Sequence, residues 1–327
     1  MKVLFLYRGK NSAGDNRIVV SQGKTLEARG VNIEYFPLTG RGPGAYLKAL
    51  SSIRKRLKSG GVDLIHAHYG ISGIAGLLTC GSRPLIVSFM GSDLLGSHEP
   101  DGKVKTSSRL MILLHRFLAR FCYSLTIVKS AEMQGRLRNG TRHAVIPNGV
   151  DLAVFKPVER SLARRQLNLD PDECLVLFPA ERSNPEKNFA LASAAVERLR
   201  DRGIKLLDIN NAGRDEMSLW FNAADLLLVT SFHEGSPNIV KEAMACCCPV
   251  VSTAAGDIPW LFGSQAGYYL SGFDAGELAD RIEEAVKFRR EFNFTYGRDR
   301  IMQLGLDSDR IAGIIIGHYS RLTEKGK

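Results

Sequence analysis

Residues 226–245 read LLLVTSFHEGSPNIVKEAMA. Three leucines and a valine run into Thr230. A turn-rich loop follows, and then small and apolar residues at helical spacing. The stretch predicts a strand, a tight loop and a helix, with Ser236 as the N-cap and Pro237 as the first helical residue. A helix start after a strand bares unpaired N–H groups and partial positive charge, a cradle for an anion. Asn238 and Glu242 lie four apart and share one helix face. Glu234 sits in the loop just before. Glutamate pairs eight apart also occur at 173/181 and 283/291, so the spacing alone decides nothing. The strand, the Ser-Pro turn and the small-residue helix give it weight against the plainer reading of a capped surface helix with solvated carboxylates.

Upstream, residues 175–188 read LVLFPAERSNPEKN. Again a strand runs into a loop, here with two cations before a helix. Cations are electrostatically unfavourable at a helix N-terminus, which points to an anionic ligand for Arg182 and Lys187. The same alternation extends in both directions. Strands are expected at 2–7, 31–36, 62–66, 85–89, 125–128 and 144–146, with helices near 17–29, 45–58, 109–122 and 131–138. After the turn cluster Pro147-Asn-Gly-Val-Asp151 the pattern restarts. Strands are expected there at 174–178, 206–209, 226–230 and 250–252, with helices near 187–200, 216–223, from 236, 275–288 and 310–323. Strands alternating with helices predict parallel sheets covered on both faces. Two such halves joined by a hinge place a cleft at the carboxyl ends of their strands, where open α/β sheets bind ligands.

The chain has 327 residues, 44% of them hydrophobic and 24% charged, the composition of a globular protein of about two domains. No stretch reaches the ~18 uncharged apolar residues of a membrane span, and the first apolar run ends at Tyr7, too short for a signal-peptide core. The expected location is the cytoplasm, with the six cysteines as buried reduced thiols. Residues 1–150 hold 22 Lys and Arg against 8 Asp and Glu, and residues 151–327 hold 22 against 26, so the halves carry +14 and −4. A cationic half suits an anionic partner. Helices 45–58 and 109–120 mix arginine or lysine with large apolar residues, as a surface lying on an anionic membrane would. No aromatic–basic interleaving or reading motif supports nucleic acid.

These motifs together resemble the family 4 glycosyltransferases of GT-B architecture, two Rossmann-like domains facing each other across a cleft. Glu234 to Glu242 resembles the family's E-x7-E motif, followed by Ala243-Met-Ala and Pro249-Val-Val. Arg182 to Lys187 resembles its R-x-x-P-E-K loop, and 146–151 the stretch before its interdomain linker. The resemblance implies an acceptor-side domain over 1–152, a donor-binding domain over 153–305, and a helix over 306–327 returning to the first.

It also implies a retaining transferase that moves a sugar from a UDP- or GDP-sugar to a hydroxyl acceptor in surface polysaccharide, lipopolysaccharide or glycolipid synthesis. The acceptor would be a glycan or lipid-linked. No metal or cofactor is implied. Arg182 and Lys187 would neutralise the leaving diphosphate, with help from N–H groups around Gly235, Ser236 and Asn238. Glu234 would hold the donor sugar and Glu242 the ribose. The loop from Gly9 to Gly14 would approach the donor phosphates. Met90-Gly-Ser-Asp93 departs from the family, which places a donor-touching histidine where Met90 stands. His66 and His68 are expected to line the cleft. The 47 positions between Lys187 and Glu234 leave room for about one βα unit fewer than in most relatives. The competing readings are a nucleotide-sugar 2-epimerase and a non-catalytic nucleotide-sugar-binding protein. A dehydrogenase is disfavoured because no G-x-G-x-x-G follows the first strand.

Overall fold

The computed structural model describes residues 1–9, 16–40, 43–97, 104–209 and 212–324. The chain divides into two compact units. One comprises Met1–Ser97, Val104–Gly149 and the chain from Ser308, and the other Val150–Asp307.

In the first unit the strands are β1 (Lys2–Arg8), β2 (Asn32–Leu38), β3 (Leu64–His68), β4 (Leu85–Ser88), β5 (Leu125–Val128) and β6 (His143–Val145). All pair in parallel, in the order β2-β1-β3-β4-β5-β6. Strands β3, β4 and β5 are buried at every position, as parallel strands covered on both faces must be. The helices are α1 (Arg17–Ala28), α2 (Pro43–Lys58), α3 (Gly70–Leu77), α4 (Ser92–Leu95), α5 (Thr106–Phe121) and α6 (Ala131–Gly135).

The sequence pattern missed α3, GISGIAGL, because two internal glycines, Gly73 and Gly76, argue against a helix. Packing explains it. A Cβ at Gly73 would meet the Val87 side chain at 2.9 Å, and one at Gly76 would meet Leu85 at 2.8 Å. The absent side chains let the helix backbone press onto β4.

The second unit holds α7 (Arg160–Gln166), β7 (Cys174–Phe178), α8 (Phe189–Glu197), β8 (Ile204–Asp208), α9 (Arg214–Ala223), β9 (Leu226–Val229), α10 (Asn238–Ala245), β10 (Val250–Thr253), α11 (Ile258–Phe262), β11 (Tyr268–Ser271), α12 (Ala275–Phe292) and α13 (Gly297–Gln303). Its sheet is parallel in the order β11-β10-β9-β7-β8. The core beneath it gathers Val176, Phe178, Leu226, Leu228 and Val251 with Ala192, Leu278 and Ile282 from the helices. The expected α/β class with two parallel sheets is what the chain adopts.

Val150–Leu152 belong with the second unit for a clear reason. Val150 N–H donates to the Leu306 carbonyl at 2.8 Å, and the Arg298 guanidinium donates to the carbonyls of Leu152 and Phe155 at 2.9 and 2.8 Å. The last helix, α14 (Ser308–Glu324), lies in the first unit. The Arg29 guanidinium donates to the Asp309 carbonyl at 3.2 Å, and the Tyr319 hydroxyl lies 2.5 Å from His66 Nδ1.

His66 and His68 do not line a cleft. Both are fully buried in β3 with rings stacked at 4.3 Å, and His66 Nε2 lies 2.8 Å from Ser88 Oγ. Burial holds the His66 pKa down at about 3 and that of His68 well below the ordinary range. Side chains alternate across a strand, so His-x-His puts both rings on one face, and that face is packed. All six cysteines are free, and five of them, including Cys246–Cys248, are buried.

Candidate active site

In the second sheet β8 lies on one side of β7 and β9 on the other, so the strand order reverses between β7 and β9. Loops leaving the carboxyl ends of two such strands part in opposite directions and leave a crevice. Lys187 follows β7 and Glu234 follows β9. Their side chains meet at that point, with Lys187 Nζ 2.5 Å from Glu234 Oε1. Ser231 Oγ donates to the same carboxylate oxygen at 2.8 Å.

The loops are fastened to each other. Thr230 Oγ1 donates to the carbonyls of Lys187 and Asn188 at 2.8 and 3.0 Å, and Phe232 N–H donates to the Glu186 carbonyl at 3.0 Å. A third loop, after β10, closes the other side. Thr253 Oγ1 donates to the Ser231 carbonyl at 2.6 Å. Gly256, at φ +59°, brings its backbone so near that a Cβ would stand 2.6 Å from the Glu234 carbonyl oxygen and 2.8 Å from that of Gly235. Only glycine fits that position.

Helix α10 starts at Asn238 rather than at Pro237. Pro237 stands at ψ 117°, outside the helical region, and no side chain caps the helix. Ser236 is therefore not the N-cap expected of it. Its hydroxyl accepts from the buried Lys241 ammonium at 3.1 Å, a charge-assisted bond. Gly235 is buried in the turn, and Asn238 Oδ1 is a buried atom without a partner among the described residues. Glu242, half-buried one turn into α10, has its pKa raised to about 7 by burial, against the opposing pull of Arg214 and Lys241.

Arg182 is brought to a different place. Its guanidinium bonds the Asp208 carboxylate at the end of β8 and lies over the Phe189 ring, 4.7 Å from its centroid. The structure thus joins Lys187, Glu234 and Ser231 directly, while Glu242 stands on α10 and Arg182 is tethered on the β8 side. Gly14 lies outside the described residues. Met90 follows β4, and its N–H donates to the Asp93 carboxylate at 2.9 Å.

Three features escaped the sequence reading. Lys241 is fully buried beside Glu242, and burial lowers its pKa to about 8. Asp257, facing it, is raised to about 6 by burial. Arg214, at the start of α9, lies within electrostatic reach of Glu242. A lysine among Val240, Ala243 and Met244 on a core-facing helix was the one available signal. No group of three or more His, Cys, Asp or Glu is arranged to hold a metal among the described residues.

This geometry suits a diphosphate ester of a sugar. An ammonium can bond phosphate oxygens, and a carboxylate beside it can accept from hydroxyls. Proteins of known structure share the architecture. Over 99% of this chain and all of the other, sucrose-phosphate synthase from Thermosynechococcus elongatus superposes with a TM-score of 0.77 at 20% identity. Anabaena HepE in complex with UDP-glucose does so over 98% of this chain and all of the other, with a TM-score of 0.72 at 20% identity. The fold is that of the GT-B class.

Residues 6–154 match the family described as Glycosyltransferase Family 4, and residues 183–287 match Glycosyl transferases group 1. A D-inositol 3-phosphate glycosyltransferase of Pseudarthrobacter chlorophenolicus is 27% identical over 281 residues, covering 72% of this chain. This chain spans 65% of that relative's length. The chain belongs to the family 4 glycosyltransferases.

Proposed function

We propose that the protein transfers a sugar from a nucleoside diphosphate sugar, a UDP-sugar foremost, to a hydroxyl of a glycan or lipid-linked acceptor with retention of anomeric configuration. The observation that carries this is the Lys187–Glu234 contact at the point where the sheet order reverses, backed by the half-buried Glu242. UDP-glucose in the HepE complex supports the donor class, and the relatives' names support glycosyl transfer.

The acceptor oxygen forms its bond to the anomeric carbon from the face the diphosphate leaves. The bond between that carbon and the phosphate oxygen breaks, and the acceptor's proton passes to a departing phosphate oxygen. Lys187 and the free N–H groups at the start of α10 take up the charge that develops there. Glu234 fixes the sugar hydroxyls, and Glu242 accepts from the ribose. The protein supplies position and electrostatics, with no nucleophile of its own and no metal.

Incubation with a panel of UDP- and GDP-sugars and simple glycan or lipid acceptors tests the reading. Acceptor-dependent release of the nucleotide is expected, unchanged by EDTA, and the product's anomeric proton signal should match the donor's. Binding without turnover across the panel, or conversion of the donor sugar without an acceptor, would overturn it.

A further inference from the structure

Two helices of the cationic unit carry the same mixture of basic and apolar residues, and they bury it to different extents. Helix α2 turns Ile53 and Leu57 into the core. Helix α5 buries His115, Leu118 and Ala119 and leaves its largest apolar residues outside. Leu110 is 72% exposed, Leu113 59%, Phe117 48% and Phe121 55%, with Leu114 beside them at 40%.

These positions are spaced 3, 4, 7 and 11 from the first. At about 100° per residue they fall within roughly 100° of arc, one ridge along a 16-residue helix. Arg109, Arg116 and Arg120 form a second row along one edge of that ridge by the same count. The Arg120 and Arg138 guanidiniums lie 5.0 and 5.9 Å from the Phe121 ring centroid. An open cleft of about 590 Å³ runs between Arg116, Arg120 and Arg138, with Phe121 in its wall. Arg116 Nε is buried with no partner among the described residues.

We propose that α5 docks the protein on an anionic phospholipid bilayer. The leucine and phenylalanine ridge enters the interface between headgroups and chains, and a lipid phosphate occupies the cleft between the three arginines. Five large apolar side chains on one exposed helix face are costly in water, and something covers them. The +14 half in which they lie disfavours a second copy of the same face and suits an anionic surface. Docking needs no sugar donor, so it stands or falls separately from the transfer reaction.

Sedimentation of the full chain with vesicles of equal parts phosphatidylglycerol and phosphatidylcholine tests it. The protein should bind at low salt, bind pure phosphatidylcholine at least ~10-fold more weakly, and be released at high salt. The double variant Leu113→Ser, Phe117→Ser should lose at least ~10-fold in partitioning, and Arg116→Gln and Arg120→Gln about fivefold each. Leu47→Ser, an exposed change on α2, should bind as the parent does. Because Leu113 and Phe117 are exposed, thermal melting of that double variant should be unaltered. Failure to bind the anionic vesicles, or undiminished binding by the Leu113/Phe117 variant, would overturn the proposal. So would a concentration-dependent dimer that this variant abolishes.

Discussion

The first unit buries His66 and His68 within a strand, and the second holds Lys187 and Glu234 just beyond strand ends. His66 and His68 sit inside β3 and are answered locally by Tyr319, Ser88 and the Phe5 ring. Lys187, Glu234, Lys241 and Glu242 stand in loops or on the helix that follow β7 and β9. A buried polar group inside a parallel strand is a matter of packing, because both faces are covered. The same group one loop further on meets a crevice and can meet a ligand. Position relative to the strand end, more than residue type, separates structural from chemical polarity in this chain.

The sharpest way to break that contrast is Lys187→Ala. If Lys187 neutralises the leaving diphosphate, kcat should fall ~10²–10³-fold, the usual effect of removing one group that stabilises developing charge. The melting temperature should hardly move, since the ammonium is partly exposed. Steady-state kinetics with a differential scanning trace checks both. A drop in stability with full turnover would place Lys187 with the structural residues.

His66→Ala is the counterpart in the first unit. It leaves the Tyr319 and Ser88 hydroxyls without their partner in a buried setting and opens a void beside Phe5. The expected cost is about 2–3 kcal/mol, read as a fall of several degrees in Tm, with kcat within twofold of the parent. A selective loss of turnover would move β3 into the chemistry.

Much of this arrangement was legible in the sequence. The apolar runs CLVLF at 174–178 and LLLV at 226–229, each leading into a turn-rich loop, read as strands of a buried parallel sheet, and they are. The loops that follow them hold the charged residues the motifs named. Other features were illegible because they depend on neighbours distant in sequence. Helix α3 exists because Val87 and Leu85 leave room only for glycine, and Lys241 is tolerated in the core because Ser236 and Asp257 face it. Arg182 resembles its motif, yet Asp208, 26 residues on, takes its guanidinium. The basic helices at 45–58 and 109–120 looked alike, and only packing shows which one turns its apolar face outward.

Gly256 sharpens the comparison from the side of the third loop. Its backbone touches the Glu234 and Gly235 carbonyls, so Gly256→Ala must displace the loop after β9 that carries Glu234. A displacement of that loop by a fraction of an ångström should lower kcat about tenfold while donor binding weakens less, because Glu242 is anchored on α10. Titration of nucleotide alone, set beside turnover, separates the two effects. Equal losses in both would mean that the loop serves binding rather than the transfer step.

The smallest expected effect is also the most diagnostic, because the two units should respond to acid with opposite signs. His66 is held neutral to about pH 3, whereas the unfolded chain takes up that proton near its ordinary value of 6.5. Stability from this group therefore falls as pH drops below about 6.5. Glu242 runs the other way. Its pKa is about 7 in the fold against 4.5 unfolded, so its neutral form is favoured below pH 4.5, and that advantage fades as pH rises through 7. Glu242→Gln should accordingly stabilise the ligand-free protein by about 1 kcal/mol at pH 7.5, a rise of ~2–4 °C, and leave it nearly unchanged at pH 4.5. The same variant should weaken nucleotide binding, since an amide replaces the carboxylate that accepts from the ribose. Stabilisation without loss of nucleotide affinity would make Glu242 a buried charge with no ligand, and the second unit would then resemble the first.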